Sequence, residues 1–271
     1  MSDFFISADE LYQALGTPDA PLLIDCRRRP RFDEDRVTLP TARWRDHTRT
    51  DQWAGGIPHG TEVVLVCVHG HNVSQLATAT LRERGIAART LAGGIEGWKG
   101  RGLPTIVKSA LPGGGEGGPS RWVTRIRPKI DRIACPWLVR RFIDPDAEFL
   151  FVEPAYVVDV AKEVGGIPYD IEGVELGHEG PLCTFDTMIK RFGLADPALD
   201  TLALIVRGAD TARLDLAPEA AGLLAVSLGN SALAGGDDRR ALTLGFPVYD
   251  ALYAWARHAR GETHNWPARP A

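Results

Sequence analysis

The chain has 271 residues, 44% of them hydrophobic and 24% charged, with a net charge of −4 at neutral pH. That length suits two domains of ordinary size, and the composition excludes a disordered chain. The small negative balance gives no global attraction to nucleic acid or an anionic membrane, and no apolar run approaches the ~20 residues that span a bilayer.

The N-terminal stretch MSDFFISADELYQAL lacks the basic start, apolar core and small-residue cleavage site of a secretory signal. Within it, Ser7 and Glu10 are spaced as a capping box that opens a first helix. Two short, continuous apolar runs follow, LLIDC at 22–26 and EVVLVC at 62–67, as expected for strands covered on both faces. Between them, Arg27-Arg28-Arg29 reads as a solvated basic turn. The stretch VSQLATATLRERG predicts a helix from near Ser74, stopped at Gly85, and ARTLAGG at 88–94 supplies a further strand. Such alternation predicts an α/β domain with a central, largely parallel sheet over residues 1–108.

Residues 109–120, SALPGGGEGGPS, are rich in glycine, proline and serine and read as a flexible linker. Beyond it, over 121–271, the texture is mainly helical (α+β). DRIACPWLVRRFID has apolar residues at helical spacing, with Pro136 tolerable only in the first turn. Three further amphipathic stretches follow, ALDTLALIVRGAD, APEAAGLLAVSLGNS and VYDALYAWARHAR. EFLFVEP and VELGHEG are candidate strands, and the tail from about 261 reads as frayed.

Four scattered cysteines, Cys26, Cys67, Cys135 and Cys183, form no C-x-x-C pair and fit free thiols in a reducing cytoplasm. Cys67 has a distinctive position, at the end of an apolar run before the loop Val68, His69, Gly70, His71, Asn72, Val73, Ser74. In an open parallel sheet, ligands sit beyond the carboxyl ends of the strands. A loop curling toward a helix start turns backbone N–H groups inward as an anion-binding nest, which stabilises a thiolate. Gly70 would supply a positive φ in that loop and Ser74 a helix cap. On position alone, a packed core cysteine and a nucleophile are equally open. Cys26, inside a buried strand, reads as core.

LIDCR, the loop CVHGHNVS and LAGGIEGW together resemble the three hallmarks of a rhodanese domain, in the family order and spacing over roughly residues 1–107. The resemblance implies that Cys67 takes a sulfane sulfur as a persulfide and passes it from a small sulfur donor to a thiophilic acceptor, with no cofactor. It also implies that Asp25 and Arg27 brace the fold near the loop. A His-Ile-x-Gly-Ala segment usual in the family is replaced here by RVTLPTARWRD. The loop has His69, His71 and Asn72 where many thiosulfate-using members carry arginine or lysine, which makes it a weaker anion clamp.

The second half resembles the C-terminal domain of bacterial chromate-resistance proteins over roughly residues 121–260, which implies a link to sensing or handling chromate or another oxyanion. Two polar clusters stand out there: Lys129, Asp131, Arg132 and Cys135, and then His178, Glu179, Cys183 and Asp186. His178, Cys183 and Asp186 are candidate ligands for a metal ion, although their spacing matches no established ligand pattern. Asp131 and Asp186 could equally cap helices. Asp210 and Asp215, bracketing Arg213, read as a helix-end salt-bridge turn.

The expected function is therefore a cytoplasmic sulfurtransferase whose second half binds an acceptor, an oxyanion or a metal, the two polar clusters meeting in one pocket. The tethered Cys135 and Cys183 are candidate acceptor thiols. The alternative is a non-catalytic redox or oxyanion sensor. A chromate reductase finds no support in a flavin or nicotinamide fingerprint.

Overall fold

The computed structural model describes residues 3–116 and 118–262. Its strands are β1 (Phe5–Ile6), β2 (Leu22–Asp25), β3 (Val37–Thr38), β4 (Arg43–Trp44), β5 (Val63–Val66), β6 (Ala88–Leu91), β7 (Ile106–Val107), β8 (Arg121–Arg125), β9 (Glu148–Val152) and β10 (Ile167–Pro168). Five of them form one wholly parallel sheet in the order β1-β6-β5-β2-β4. The central strand β5 is buried at every residue, which explains its unbroken apolar run. The first helix, Ala8–Ala14, opens on the expected box: Ser7 Oγ accepts the Glu10 amide at 3.2 Å and the Glu10 carboxylate accepts the Ser7 amide at 2.9 Å.

Beyond β2 the chain is fixed by a buried ion pair. Arg27, 1% exposed, donates to Asp25 through Nε at 3.0 Å and Nη2 at 2.6 Å, and to Asp35 through Nη1 at 2.8 Å. The Thr38 hydroxyl donates to the same Asp25 at 2.9 Å. Arg27 is thus no part of a solvated turn; only Arg28 and Arg29 of that triplet are exposed. The planar guanidinium fork can satisfy two carboxylates and the Val37 carbonyl (3.1 Å) at once, so burial is offset.

The second half holds a smaller parallel sheet, β10-β8-β9, and is otherwise helical. Its main helices are Asp131–Leu138, Val157–Val164, Thr184–Phe192, Pro197–Asp210, Ala220–Ala234 and Asp238–His258. EFLFVEP gives β9, but VELGHEG gives no strand, only the isolated bridges Tyr169–Leu176 and Glu179–Leu182. Glycines at φ +81° (Gly173) and +60° (Gly180) turn the chain too often there for a ladder. Pro136 lies past the first turn of its helix, and the hydrogen-bond ladder widens into a π turn at Val139–Ile143 just beyond it. The expectation of a frayed tail falls mostly on 263–271, outside the described residues. Among the described residues, no helix is long and apolar enough to cross a membrane.

The two halves share one buried apolar cluster, with Leu11, Leu15, Trp98 and Ile106 from the first and Trp137, Phe142, Phe185 and Tyr253 from the second. Arg257 donates to the carbonyls of Tyr12 (2.7 Å) and Leu15 (3.1 Å) and lies over the Tyr12 ring. The segment 109–120 is correspondingly no free tether. It makes short helical turns at Lys108–Ala110 and Pro112–Gly115, buries Leu111, and offers Glu116 to Arg29 at 2.8 Å. Because the halves pack directly, the connection lies on the surface they form together.

Gly16 marks that packing. At φ +77°, a Cβ there would stand 2.6 Å from Phe142 Cζ and 2.7 Å from Tyr253 Cε1. Gly16→Ala should therefore lose about 1–2 kcal/mol for the left-handed backbone and about 1–3 kcal/mol more for overpacking. Gly85→Ala, at φ +74° with open space around it, should lose only the first. Equilibrium urea unfolding of the two variants measures the difference, and equal losses would show that the aromatic seat does not constrain Gly16.

Candidate functional site

Cys67 follows β5 directly, on the carboxyl edge of the sheet, and is 4% exposed. The next helix, Asn72–Glu83, begins two residues before Ser74, with His71 at its N-cap. Ser74 therefore does not cap it. Its buried hydroxyl sits in the first turn, 3.1 Å from Cys67 Sγ and 3.3 Å from the His71 carbonyl to which it donates. The amides of Asn72, Val73 and Ser74 belong to that first turn, which has no intrahelical acceptors. Among the described residues, none of the amides from His69 to Ser74 donates to a protein acceptor. Gly70, at φ +73°, makes the turn possible, and Gln75 fixes its carbonyl at 3.0 Å. His69 and His71 are exposed at the mouth, their ring centroids 5.7 Å apart, while Val68 and Val73 are half-buried.

The glycine pair of LAGG holds this loop. The Ile95 amide donates to the Cys67 carbonyl at 2.9 Å, and the Glu96 amide to the Val68 carbonyl at 3.1 Å. This contact brings Gly94 so close that a Cβ would overlap the Cys67 carbonyl oxygen and lie 2.6 Å from the Val68 carbonyl carbon. Trp98, fully buried, anchors the helix Gly94–Gly100 through Nε1 to the Pro104 carbonyl at 2.7 Å. Beneath the loop, Cys26 and Cys67 share one apolar cluster. The Cys26 thiol donates to the Val66 carbonyl at 3.2 Å, and burial, with Cys67 beside it, pushes that thiol well above the usual range.

In the second half the two polar clusters meet, in a different arrangement from the expected one. Asp131 opens its own helix and also accepts the amides of Thr184 (2.8 Å) and Phe185 (2.9 Å), capping the helix Thr184–Phe192. Cys135 is fully buried and its thiol lies 3.4 Å from Asp131. Cys183 and Asp186 form the capping box of that second helix, and Asp186 also pairs with Arg207 at 3.1 Å. The ligand set His178, Cys183 and Asp186 is therefore not assembled, because Asp186 is committed to its own helix start and to Arg207. Glu179 is exposed and holds Lys190 at 2.9 Å, and Lys129 is exposed.

His178 turns instead to three carboxylates: Nε2 is 3.5 Å from Asp131, 3.4 Å from Asp170 and 3.4 Å from Asp210. Asp170 and Asp210 were not assigned to this site by sequence reasoning. Arg213 pairs with Asp215 at 2.9 Å, which leaves Asp210 free to face His178. Asp170 is held by Arg125 (2.8 Å), by Arg132 (3.2 Å) and by the Thr184 hydroxyl (3.0 Å). Burial and the neighbouring Asp131 and Asp170 raise Asp210 to about 6, and burial with Asp131 also raises Asp170. The Asp131 carboxylate beside His178 draws the imidazole above its ordinary range. Burial, then Asp131, pushes both Cys135 and Cys183 thiols up, so they remain protonated.

Gly94→Ala tests the loop geometry, with Gly97→Ala, where a Cβ meets only the Ala92 carbonyl at 3.8 Å, as the control. The first should cost about 2 kcal/mol or more and increase the rate at which Cys67 is alkylated by iodoacetamide, and the second should leave that rate unchanged. Equal alkylation rates would mean that the glycine contact does not set the loop.

Residues 7–101 match the model for the rhodanese-like domain, and residues 122–256 that for the ChrB C-terminal domain. Protein ChrB of Cupriavidus metallidurans is 35% identical over 135 residues, which make up 49% of this chain and 40% of that protein. The chain thus matches about two fifths of that relative's length. A rhodanese-related protein from Thermoplasma volcanium is 20% identical, with 38% of this chain and 96% of that one covered and a TM-score of 0.34. A thiosulfate sulfurtransferase from Pseudomonas aeruginosa is 24% identical over 37% of this chain and 19% of that one, with a TM-score of 0.33. The strand order, the glycine-pinned cysteine loop and the two domain matches lead to one assignment: this chain is a rhodanese-like domain joined to a ChrB C-terminal domain.

Proposed function

We propose that the chain is a sulfurtransferase in which Cys67 carries a sulfane sulfur as a persulfide. What supports this reading is the run of amides from His69 to Ser74, in the loop and helix start that follow Cys67, that have no protein acceptor among the described residues, with Ser74 Oγ 3.1 Å from the Cys67 sulfur. Amides so arranged stabilise negative charge, first on the thiolate and then on the terminal sulfur of the persulfide. In the first step the thiolate attacks the donor's sulfane sulfur: the Sγ–S bond forms as the donor's own bond to that sulfur breaks, and the donor leaves with the electron pair. In the second step a thiophilic acceptor, a thiolate or cyanide, attacks the outer sulfur and returns the Cys67 thiolate. No net oxidant is required. With histidines in place of arginine or lysine at the mouth, the loop suits a persulfide donor better than the dianion thiosulfate.

A second reading, a sensor that reacts once, draws on the low exposure of Cys67, 4%, and on Cys26 in the same cluster. Turnover separates the two. Intact protein incubated with a low-molecular-weight persulfide should gain one sulfur atom by mass and lose it to cyanide as thiocyanate over many cycles. Cys67→Ser should abolish both, whereas Cys26→Ala should retain turnover within about threefold, since Cys26 is packed and held protonated. A single stoichiometric reaction with a change in shape would favour the sensor. Full activity in Cys67→Ser would exclude the assignment.

A further inference from the structure

The pocket around His178 has the dimensions of a metal shell. For bonds of about 2.1 Å, neighbouring ligands of a tetrahedral ion stand about 3.4 Å apart. His178 Nε2 lies at 3.4–3.5 Å from one oxygen each of Asp131, Asp170 and Asp210. The ligand atoms of Asp131, Asp170 and His178 all fall within 4.8 Å of one another. One imidazole N–H can serve a single acceptor, so hydrogen bonding alone cannot explain three carboxylates converging on one nitrogen.

An independent observation points to the same place. Tyr169 is fully buried, and its hydroxyl has no hydrogen-bond partner among the described residues. Tyr169 directly precedes Asp170 in the chain, and burial, with Cys135 and Asp170 adding to it, pushes its phenol well above the usual range. A buried hydroxyl left unmatched is costly, and a hydrated ion would satisfy it. The carboxylates are also oriented from behind, as metal ligands are: Asp131 by the Thr184 and Phe185 amides, and Asp170 by Arg125, Arg132 and the Thr184 hydroxyl. His178, 43% exposed, leaves the site open to solvent on one side.

We propose that Asp131, Asp170 and His178, with Asp210 beside the imidazole, bind one divalent first-row transition-metal ion. Carboxylates with a single imidazole suit manganese(II), iron(II) or zinc(II), and neither thiol joins the shell, since Cys135 and Cys183 donate to Asp131 and Asp186. The site is independent of Cys67, so a chain that moved no sulfur would still bind the ion.

The test uses the full chain, stripped by chelator and dialysed against micromolar manganese(II) or zinc(II), with the metal counted by elemental mass spectrometry. One ion per chain is expected for at least one of these metals, with a higher thermal midpoint. His178→Ala and Asp210→Asn spare the capping role of Asp131 and should raise Kd at least about tenfold, the lower end for disturbing even an outer partner of a ligand. Cys183→Ser should bind as the parent does. Manganese(II) electron paramagnetic resonance should report a bound signal that both ligand variants lose while their circular dichroism stays native. Absence of stoichiometric binding by either metal, or binding that survives both ligand variants, would overturn the site. Loss in Cys183→Ser alone would overturn it in favour of a thiolate ligand set.

Discussion

A buried carboxylate, Asp196, ties the two halves into one body. It is 1% exposed, and one of its oxygens accepts the amides of Ala198 (2.8 Å) and Leu199 (3.4 Å), starting the helix Pro197–Asp210. The other oxygen accepts the hydroxyl of Tyr253 at 2.9 Å and that of Tyr12, from the first half, at 3.2 Å. Burial, with Asp196 adding to it, pushes both phenols up, so both stay protonated donors. Removing the first half would strip a donor from a buried hydrogen-bond acceptor, a loss on the order of 1–3 kcal/mol, besides exposing the aromatic seat around Phe142. The same helix carries Asp210 at its far end, so the joint that holds the domains together also sets one wall of the His178 pocket.

In the first half the constraint is backbone proximity. The parallel order places β5 between β6 and β2, so the turn after Cys67 and the turn after Leu91 leave the same edge of the sheet. Only a chain without a side chain at Gly94 can bring the second turn onto the carbonyls of the first. That contact uses up the Cys67 and Val68 carbonyls, while the amides from His69 to Ser74 have no protein acceptor among the described residues. The polarity of the loop thus follows from where glycine stands: two of its oxygens are tied down by the turn at Gly94, and its N–H groups are left without a protein partner among the described residues.

This accounts for what was legible in the sequence. Positions that demand glycine, a capping serine or an unbroken apolar strand are local requirements, and Gly70, the LAGG pair, Ser7 and β5 announced the first half and its cysteine loop. The His178 pocket is assembled from four separated elements. Asp170 follows a two-residue strand, and Asp210 ends a helix three residues before an arginine, which made Arg213 its natural partner by spacing. The structure gives Arg213 to Asp215 instead. Cys183 and Asp186 looked like ligands because they sit near His178 in sequence, yet their spacing of three is that of a helix cap. The linker misled for a related reason: composition describes the segment, whereas its order comes from surfaces that meet only in the fold.

The chemistry of the two sites also bears on why they share a chain. A thiol that accepts sulfur must ionise and be reached. Cys135 and Cys183 are fully buried, each donates to an aspartate, and burial, then the carboxylates around them, holds their protons on. They are therefore poor recipients for the sulfur that the proposed Cys67 persulfide would carry, and a relay between tethered thiols is disfavoured first by their burial and then by the anions of the second pocket. Fixed negative charge attracts cations and repels oxyanions and persulfides alike. The loop at Cys67, whose amides have no protein acceptor among the described residues, would have the opposite preference. On the proposed chemistry, one chain would present a surface for soft anionic sulfur and another for hard or borderline cations, and the acceptor of the sulfur would have to come from outside it.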